Sequence, residues 1–264
     1  MAKILFFGDI VGKPGRRALA QVLPIWREEY KPDVVIVNVE NLAHGKGVTP
    51  NTMAELDALG IDSFTSGNHV FDKKEQSIEC FRTHPNLIRP ANYDDALPGQ
   101  GYYRFQKHNL WYTVINLGGQ VFFEKQFTGT IKNPFLTVDE ILAEVPQKGD
   151  IILVDLHAEA TSEKVAMGWY LNGRVTALVG THTHVPTADH QILPKDTAYV
   201  TDIGMTGPKN SVIGVKIDNA LNMFLEKDRF RMEPEEEGVA VVNAVLISIE
   251  DGKAVGVERV YKEV

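Results

Sequence analysis

Polar side chains able to bind a metal ion follow directly after five short apolar runs of the sequence. These side chains are Asp9, Glu40, Asn41, Asn68, His69, His157, His182 and His184. Because ligands of open α/β sheets bind outside the carboxyl ends of the strands, we expect these side chains to meet in one crevice. Taken singly, each has an ordinary explanation, since Asp and Asn commonly cap helices or form turns.

The pair of histidines in His182-Thr183-His184 is harder to explain by chance. Alternate residues of an extended segment point to the same side, which would place both imidazoles together. Imidazole, carboxylate and amide oxygen suit zinc, manganese, iron or a similar divalent ion, and thiolate ligands are not needed. The sequence therefore predicts a metal site, and the residue types alone leave the identity of the metal open.

The elements that must position these residues alternate between strand and helix. Residues 3–7 and 34–37 read as buried strands, and residues 14–30 between them carry apolar side chains at helical spacing, in a helix that Pro24 must kink or shorten. Further strands are predicted over 61–66, 151–156 and 175–179, helices over 52–59, 138–145 and 162–171, and a C-terminal hairpin over 239–249 and 254–260. This order predicts an α/β fold, and since no linker or repeat marks a boundary, residues 1–264 should form a single domain.

Composition narrows the function classes. The net charge of −8 argues against nucleic-acid binding through a broad basic surface, because such a surface needs clustered Lys and Arg. A small anionic substrate is still compatible, since bound cations dominate their local field. Cys80 is the single cysteine and the N-terminal apolar run is too short for a signal core or a membrane span, so we expect a cytoplasmic protein without a membrane partner.

The ordered motifs resemble those of the calcineurin-like metallophosphoesterases. They are Gly8-Asp9, Glu40-Asn41, Gly67-Asn68-His69, His157 and Gly180-Thr181-His182-Thr183-His184. That family usually opens with Asp-x-His and has a bridging Asp, whereas this chain has Val11 and Glu40 at those places. The stretches GDIVGKPGR, NVENLAHGKGVT, SGNHVFD, DLHAEATSEK, GTHTHVPTAD and TDIGMTGP are similar to the YmdB-like branch over most of the chain. The resemblance implies a four-layered α/β/β/α sandwich with mixed sheets.

The resemblance also implies a set of ligands for two metal ions. The first ion would take Asp9, Glu40, Asn41 and His184, and the second would take Glu40, Asn68, His157 and His182. In this scheme Glu40 bridges the two ions and Asn41 replaces the missing histidine. The implied cofactor is two divalent or mixed-valence ions, with iron favoured and manganese or zinc as alternatives.

The mechanism implied by the resemblance is phosphodiester hydrolysis. A metal-activated hydroxide would attack phosphorus in line, and His69, left without a metal, would donate a proton to the departing ribose oxygen. The leading substrates are 2′,3′-cyclic nucleotides, with 3′,5′-cyclic nucleotides or RNA-linked phosphodiesters as alternatives. Without the resemblance, the residues indicate only a phosphate ester.

Two other functions fit part of the pattern. The lost Asp-x-His histidine suggests a metal-binding regulatory or scaffold protein with little turnover, although the retained His69 argues against it. A binuclear amidohydrolase carries its HxH at the start of the chain, so the late position of His182 disfavours that class.

Aromatic residues in the irregular middle could pack a subunit interface, line a base-binding wall or simply fill the core, and on this ground we expect a homo-oligomer, either a dimer or a tetramer. They are Phe122, Phe123, Phe127 and Phe135.

Overall fold

The computed structural model describes residues 1–93, 96–123, 130–226 and 231–264 of the chain. The strands in these ranges are β1 (Ala2–Asp9), β2 (Val34–Asn38), β3 (Ser63–Thr65), β4 (Tyr102–Lys107), β5 (Leu110–Gly118), β6 (Ile151–His157), β7 (Ala177–Thr181), β8 (Gln191–Ile192), β9 (Ala198–Val200), β10 (Gly207–Pro208), β11 (Ala240–Glu250) and β12 (Lys253–Glu263). The helices are α1 (Gly12–Tyr30), α2 (Pro50–Asp57), α3 (Lys74–Thr83), α4 (Pro134–Glu144), α5 (Thr161–Leu171) and α6 (Ile217–Phe224).

The strands form two mixed sheets. The first sheet has the order β10-β11-β1-β2-β3, with β12 paired to β11. Its strands β1, β2 and β3 are parallel, whereas β11 runs antiparallel to β1. The second sheet has the order β4-β5-β6-β7-β9-β8, in which β5, β6, β7 and β9 are parallel and the edge strands β4 and β8 are antiparallel to their neighbours.

Alternation along β1 shows how the layers are stacked. Leu5 and Phe7 belong to an outer core shared with α1, α2 and α3, whereas Ile4 and Phe6 belong to a middle core that includes side chains of β5, β6 and β7. A third core joins the other face of the second sheet to α4 and α5. Because successive strand residues point to opposite faces, one strand can serve two cores. The expected four-layered α/β/β/α sandwich with mixed sheets is therefore confirmed.

Helix α1 runs through Pro24 and continues to Tyr30, so of the two predicted effects of Pro24, a kink or a shortening, the shortening does not occur. A proline inside a helix removes the hydrogen bond to the carbonyl four residues earlier, which here belongs to Ala20. Both Ala20 and Pro24 are on the exposed side of α1, where water can bind that carbonyl. The buried face of the helix, which packs Leu19, Val22 and Trp26 on the first sheet, is unaffected.

The C-terminal hairpin is confirmed as the pair β11 and β12. Its two turn residues, Asp251 and Gly252, both have positive φ values, 50° and 78°. This is the backbone geometry of the type I′ turn, whose twist matches that of the flanking strands. The hairpin places β11 next to β1, so the C-terminal part of the chain completes the first sheet around the N-terminal strand.

The described parts of residues 85–149 supply β4 and β5 to the second sheet and α4 to its outer face. Of the aromatic residues there, Phe123 is fully buried, Phe122 is 83% exposed, and Phe135 stacks edge-on against Tyr170. Phe127 is outside the described residues.

In the part of the chain that the structure describes, no helix combines the length and the apolar character that a membrane crossing requires.

Candidate dinuclear metal centre

The strand ends of both sheets deliver the candidate residues to one place. Asp9 is the last residue of β1, and Glu40 and Asn41 follow the end of β2. Asn68 and His69 follow β3 after a short turn, His157 ends β6, and His182 comes directly after β7. Since β1 to β3 are parallel, and β6 is parallel to β7, the carboxyl ends of the strands in each sheet meet at one edge. The structure brings all of the residues singled out in the sequence together there.

Two groups of ligand atoms overlap at Glu40. Glu40, His157 and His182 each place one nitrogen or oxygen within 4.8 Å of the others, and so do Asp9, Glu40 and His184. Amide oxygens of the two asparagines extend these groups, because Asn68 Oδ1 lies 3.1 Å from His157 Nε2 and Asn41 Oδ1 lies 3.2 Å from His184 Nε2. The arrangement provides two adjoining positions for cations with one carboxylate common to both.

Each of the three histidines turns one ring nitrogen to the centre and the other away. His157 Nε2 lies 3.1 Å from Glu40 Oε2, while its Nδ1 contacts the Thr181 hydroxyl at 2.8 Å. His182 faces the centre with Nδ1, 3.2 Å from His157 Nε2. His184 faces the centre with Nε2 and contacts the Ile213 carbonyl through Nδ1 at 2.8 Å. A hydrogen bond to the outer nitrogen fixes the tautomer that offers the inner lone pair to a metal.

The backbone that carries the two histidines of the HxH motif is not extended, so that expectation is wrong. β7 ends at Thr181, and both His182 and His184 have positive φ values, 102° and 66°. The two rings reach the centre through a left-handed turn and use different nitrogens, rather than lying side by side on a strand. Non-glycine residues with positive φ are uncommon and concentrate at functional sites.

Burial and charge together set the protonation of the metal-free cluster. Burial raises the pKa of Asp9. Burial alone would lower the pKa of His157, but the surrounding carboxylates, Glu40 first and then Asp9 and Asp155, together outweigh it and raise that pKa to about 9. Burial alone would raise the pKa of Glu40, but the neighbouring imidazoles, His157 first, together outweigh it and hold that pKa below the usual range. Burial and the positive charge of His157 lower the pKa of His182 to about 2. In the metal-free cluster, the proton on His157 thus compensates the negative charge of the buried carboxylates, which is the role that a bound cation would otherwise take.

The donor set fits a pair of divalent cations. Asp9 Oδ1 is fully buried and has no hydrogen-bond partner within the described residues, an arrangement that is costly unless a cation is bound. Around it lie carboxylates, amide oxygens and imidazole nitrogens, which together suit iron, manganese or zinc. The residues present therefore match the metals that the resemblance implies.

Gly67 leaves room for the centre. A Cβ atom on Gly67 would lie 2.2 Å from Glu40 Oε2 and 2.3 Å from the His157 ring. No real Cβ comes so near to another atom, so any side chain at this position would displace both groups. The first residue of the Gly67-Asn68-His69 motif is thus required for space rather than for a turn.

Val11 occupies the position where related metallophosphoesterases carry a histidine. Its side chain is buried and lies against Gly207 and Gly214. Asn41 instead brings an amide oxygen beside His184, and its Nδ2 donates to the Gly45 carbonyl at 2.9 Å. This second hydrogen bond fixes which end of the amide faces the centre.

A buried network beneath the centre was not found from the sequence. Asp155 accepts hydrogen bonds from Thr65, Thr181 and Asn38, and Thr181 in turn accepts from His157 Nδ1. Burial raises the pKa of Asp155 to about 6. Because Asn38 and Thr65 come from the first sheet and Asp155 and Thr181 from the second, the network joins the two sheets directly below the ligands.

A second support holds the turn of the HxH motif. Lys164 of α5 is fully buried and donates to the Thr181 carbonyl and to Asp202 Oδ2, both at 2.7 Å. Asp202 also accepts the backbone N–H of Thr183 at 3.1 Å and that of Gly204 at 2.8 Å. The stretch TDIGMTGP could have pointed to Asp202, but nothing in the spacing connects it with Lys164.

The centre opens into a cleft of about 390 Å³. Its lining residues are Glu40, Asn41, Gly45, Lys46, His69, Glu159, His182, Thr183, His184, Ile213 and Val215. His69 stands at this opening, with its backbone N–H on Glu40 Oε2 at 3.1 Å and its Nδ1 2.9 Å from Asp72 Oδ2. Lys46 is the one lysine or arginine among these lining residues. The cleft can therefore hold a small anionic ligand between the centre, an imidazole and an ammonium group.

Comparison with known proteins agrees with this geometry. The chain is 44% identical over 260 residues to the 2′,3′-cyclic-nucleotide 2′-phosphodiesterase of Bacillus subtilis, covering 98% of this chain and 96% of that protein. The crystal structure of a phosphatase from Mycoplasma pneumoniae superposes with a TM-score of 0.92 at 33% identity, over 99% of this chain and 93% of the other. A calcineurin-like phosphoesterase from Bacillus subtilis, 13% identical, shares the fold with a TM-score of 0.57 over 99% of this chain and 90% of its own.

The family model described as YmdB-like protein matches residues 5–260. That match leaves only the first four and the last four residues outside it. Together with the sequence identity to the Bacillus subtilis protein, it shows that the chain belongs to the YmdB-like family and has the calcineurin-like phosphoesterase fold.

Proposed function

We propose that the protein is a dinuclear metal-dependent phosphodiesterase that hydrolyses 2′,3′-cyclic nucleotides. The observation that carries the proposal is the pair of ligand groups that share Glu40 at the floor of a cleft. Asp9, Glu40, Asn41 and His184 would hold one ion, and Glu40, Asn68, His157 and His182 the other. Two divalent or mixed-valence ions, with iron first among the candidates, would when bound supply positive charge that activates water and offsets charge on the phosphoryl group.

His69 is the proposed proton donor to the departing ribose oxygen. It lines the cleft, and its Nδ1 is held by Asp72, which leaves Nε2 as the nitrogen for the substrate. A carboxylate on the far nitrogen orients the ring. Through its backbone N–H on Glu40, the same residue is fixed relative to the ligands.

A cyclic mononucleotide is the substrate that the cleft favours. The Bacillus subtilis relative is named for 2′,3′-cyclic nucleotides, which supports this substrate class. An RNA strand would need several cationic contacts along its backbone, whereas the chain has a net charge of −8 and Lys46 is the one cationic side chain among the cleft-lining residues. RNA-linked and 3′,5′-cyclic phosphodiesters are the comparison substrates.

The first test measures metal content and turnover in the same sample. Protein purified without added metal is analysed for iron, manganese and zinc and assayed with 2′,3′-cyclic AMP, 3′,5′-cyclic AMP and a short RNA. We expect about two metal ions per chain and cleavage of the 2′,3′-cyclic substrate. Turnover should be lost in Asp9→Asn and Glu40→Gln. Metal without cleavage of any ester, under every metal loading, would favour a regulatory or scaffold protein instead.

The second test isolates the proton donor. His69→Ala should keep both metal ions and lose about 10²–10⁴-fold in kcat, the usual contribution of a positioned acid. His84→Ala is the matched control, because His84 also pairs with an aspartate, Asp57, but lies away from the cleft. Unchanged turnover in His69→Ala would remove the assignment.

A homo-oligomer is proposed from the surface of α6. Ile217, Leu221, Phe224 and Leu225 lie on one side of this helix end and are 44–72% exposed. A second copy of the chain is the proposed occupant, because a two-fold contact places the same apolar surface on both partners. Light scattering should give a dimer or a tetramer, and Phe224→Glu should shift it to a smaller species. A wild-type monomer would contradict the proposal.

The remaining proposals concern domain organisation and location. We propose that residues 1–264 unfold as one domain, since the core between the sheets draws side chains from both. Calorimetry of the metal-free protein should then give one transition.

We also propose a cytoplasmic location, since Cys80 is the single cysteine, is buried and can form no internal disulfide.

A further inference from the structure

Glu159 lies beside the centre without belonging to either ligand group. Its carboxylate contacts His182 Nε2 at 2.9 Å, on the side of the ring opposite to the nitrogen that faces His157. Glu159 comes two residues after His157, between buried Ala158 and Ala160, and its side chain is 46% exposed in the cleft. The end of β6 therefore carries His157, and the segment directly after it places Glu159 against the outer nitrogen of His182.

The outer partners of the three histidines differ in charge. His157 hydrogen bonds to a threonine hydroxyl, with the Asp9 carboxylate 3.7 Å from the same nitrogen, and His184 hydrogen bonds to a backbone carbonyl. His182 instead hydrogen bonds directly to a carboxylate at 2.9 Å. A carboxylate on the outer nitrogen makes the inner nitrogen more basic and holds the ring plane more firmly than a neutral acceptor does. Of these three rings, His182 is thus the one whose outer nitrogen hydrogen bonds directly to a carboxylate.

His182 also depends on its neighbours for orientation. Its backbone is in the left-handed region. Its ring makes edge contacts with the rings of Phe123 and His157, whose centroids lie 4.6 Å and 4.9 Å from its own. Such contacts restrict tilt but do not determine which nitrogen carries the proton. The hydrogen bond to Glu159 does, because a carboxylate can only accept.

We propose that Glu159 is a positioning residue that fixes the tautomer and plane of His182 and thereby raises the affinity of the second metal position. The inference rests on the dinuclear centre of the proposed function. The Glu159 proposal concerns the affinity of one metal position, which is measured without substrate, whereas the proposed function concerns turnover of the substrate. Failure of either idea can thus be recognised separately.

Cobalt(II) titration of the metal-free, full-length protein tests this. The absorbance of the bound cobalt reports its ligands and geometry, and the titration resolves the two positions. We expect Glu159→Ala to weaken one position about 10–100-fold in Kd and to change the spectrum of that position, with the other position unaffected. Glu159→Gln keeps an acceptor oxygen without the charge and should give an intermediate Kd.

The chain offers a matched control in Glu236. This glutamate makes a contact of the same length, 2.9 Å, to His44, and its side chain is 44% exposed, but His44 is itself 76% exposed and is not among the cleft-lining residues. Glu236→Ala should therefore leave both cobalt affinities and the spectrum unchanged. Wild-type affinity and spectrum in Glu159→Ala would overturn the proposal. So would equal weakening of both positions, which a general loss of structure would produce.

Discussion

Lys164→Met is the substitution whose effect on stability follows most directly from the structure. Lys164 and Asp202 form an ion pair at 2.7 Å with both side chains fully buried. Methionine fills a similar volume without the charge, so the variant leaves the Asp202 carboxylate buried beside two backbone N–H groups and frees the Thr181 carbonyl. Breaking a buried pair by removing one partner costs about 3–5 kcal/mol, because the remaining charge is not compensated.

The assay is urea unfolding of the chelated protein at pH 7, so that loss of metal does not add to the result. The expected decrease in the free energy of unfolding is about 3–5 kcal/mol, which in a parallel thermal melt corresponds to roughly 6–20 °C in Tm for a chain of this size. Adding Asp202→Asn to Lys164→Met removes the uncompensated charge. The double variant should therefore be more stable than the sum of the two single losses implies.

Lys253→Met is the control for this experiment. Lys253 pairs with Asp196 at 2.8 Å, but both side chains are largely exposed, so its loss should leave the unfolding midpoint unchanged. A cost below about 1 kcal/mol for Lys164→Met would refute the reasoning. Additive losses in the double variant would refute it as well, because they would show that the two charges do not interact.

Three further changes are predicted. Gly67→Ala should reduce bound metal below two ions per chain while the protein stays folded, because its Cβ would lie 2.2 Å from a Glu40 oxygen; full metal content by elemental analysis would contradict this. Lys46→Met should raise KM for the cyclic nucleotide on the order of 10-fold with kcat little changed, as expected when a charged contact binds substrate and transition state alike. Burial alone would raise the pKa of Asp150, but hydrogen bonds from Arg104, the Gln147 backbone and Thr113 together outweigh it and lower that pKa. These contacts therefore stabilise the protein above the unfolded pKa of about 3.9, and their contribution is lost as the pH falls through the lowered folded pKa. Arg104→Met should accordingly be less stable than wild type at pH 7, and the difference in urea midpoint should shrink below about pH 4; a difference independent of pH would count against it.

The location of the centre could be predicted from the sequence because it follows from local patterns. Apolar runs that end in polar residues mark the carboxyl ends of strands, and the parallel arrangement brings those ends together. Asp9 and His157, each the last residue of its strand, were accessible in this way. The HxH turn was not, because the positive φ values of His182 and His184 depend on contacts made by other parts of the chain.

Supporting residues were missed for a related reason. Lys164 and Asp202 are 38 residues apart, and neither is next to a predicted ligand in a way that spacing would reveal. Helix α3 was missed because a serine, Ser77, takes one of its buried positions, hydrogen bonded to the Val70 carbonyl. The apolar periodicity that marks a helix in the sequence is interrupted there.

The pairing of β11 with β1 has a consequence for synthesis of the chain. Residues 2–7 pair with residues 244–249, so on the ribosome β1 and β2 emerge long before the neighbour that covers the other edge of β1. Until then that edge presents unpaired backbone groups and the apolar side chains of a central strand, which is a template for association with other chains. A chain that ends before residue 240 would keep that edge of β1 unpaired. Pairing of β11 with β1 in the last tenth of the protein therefore protects the chain from aggregation.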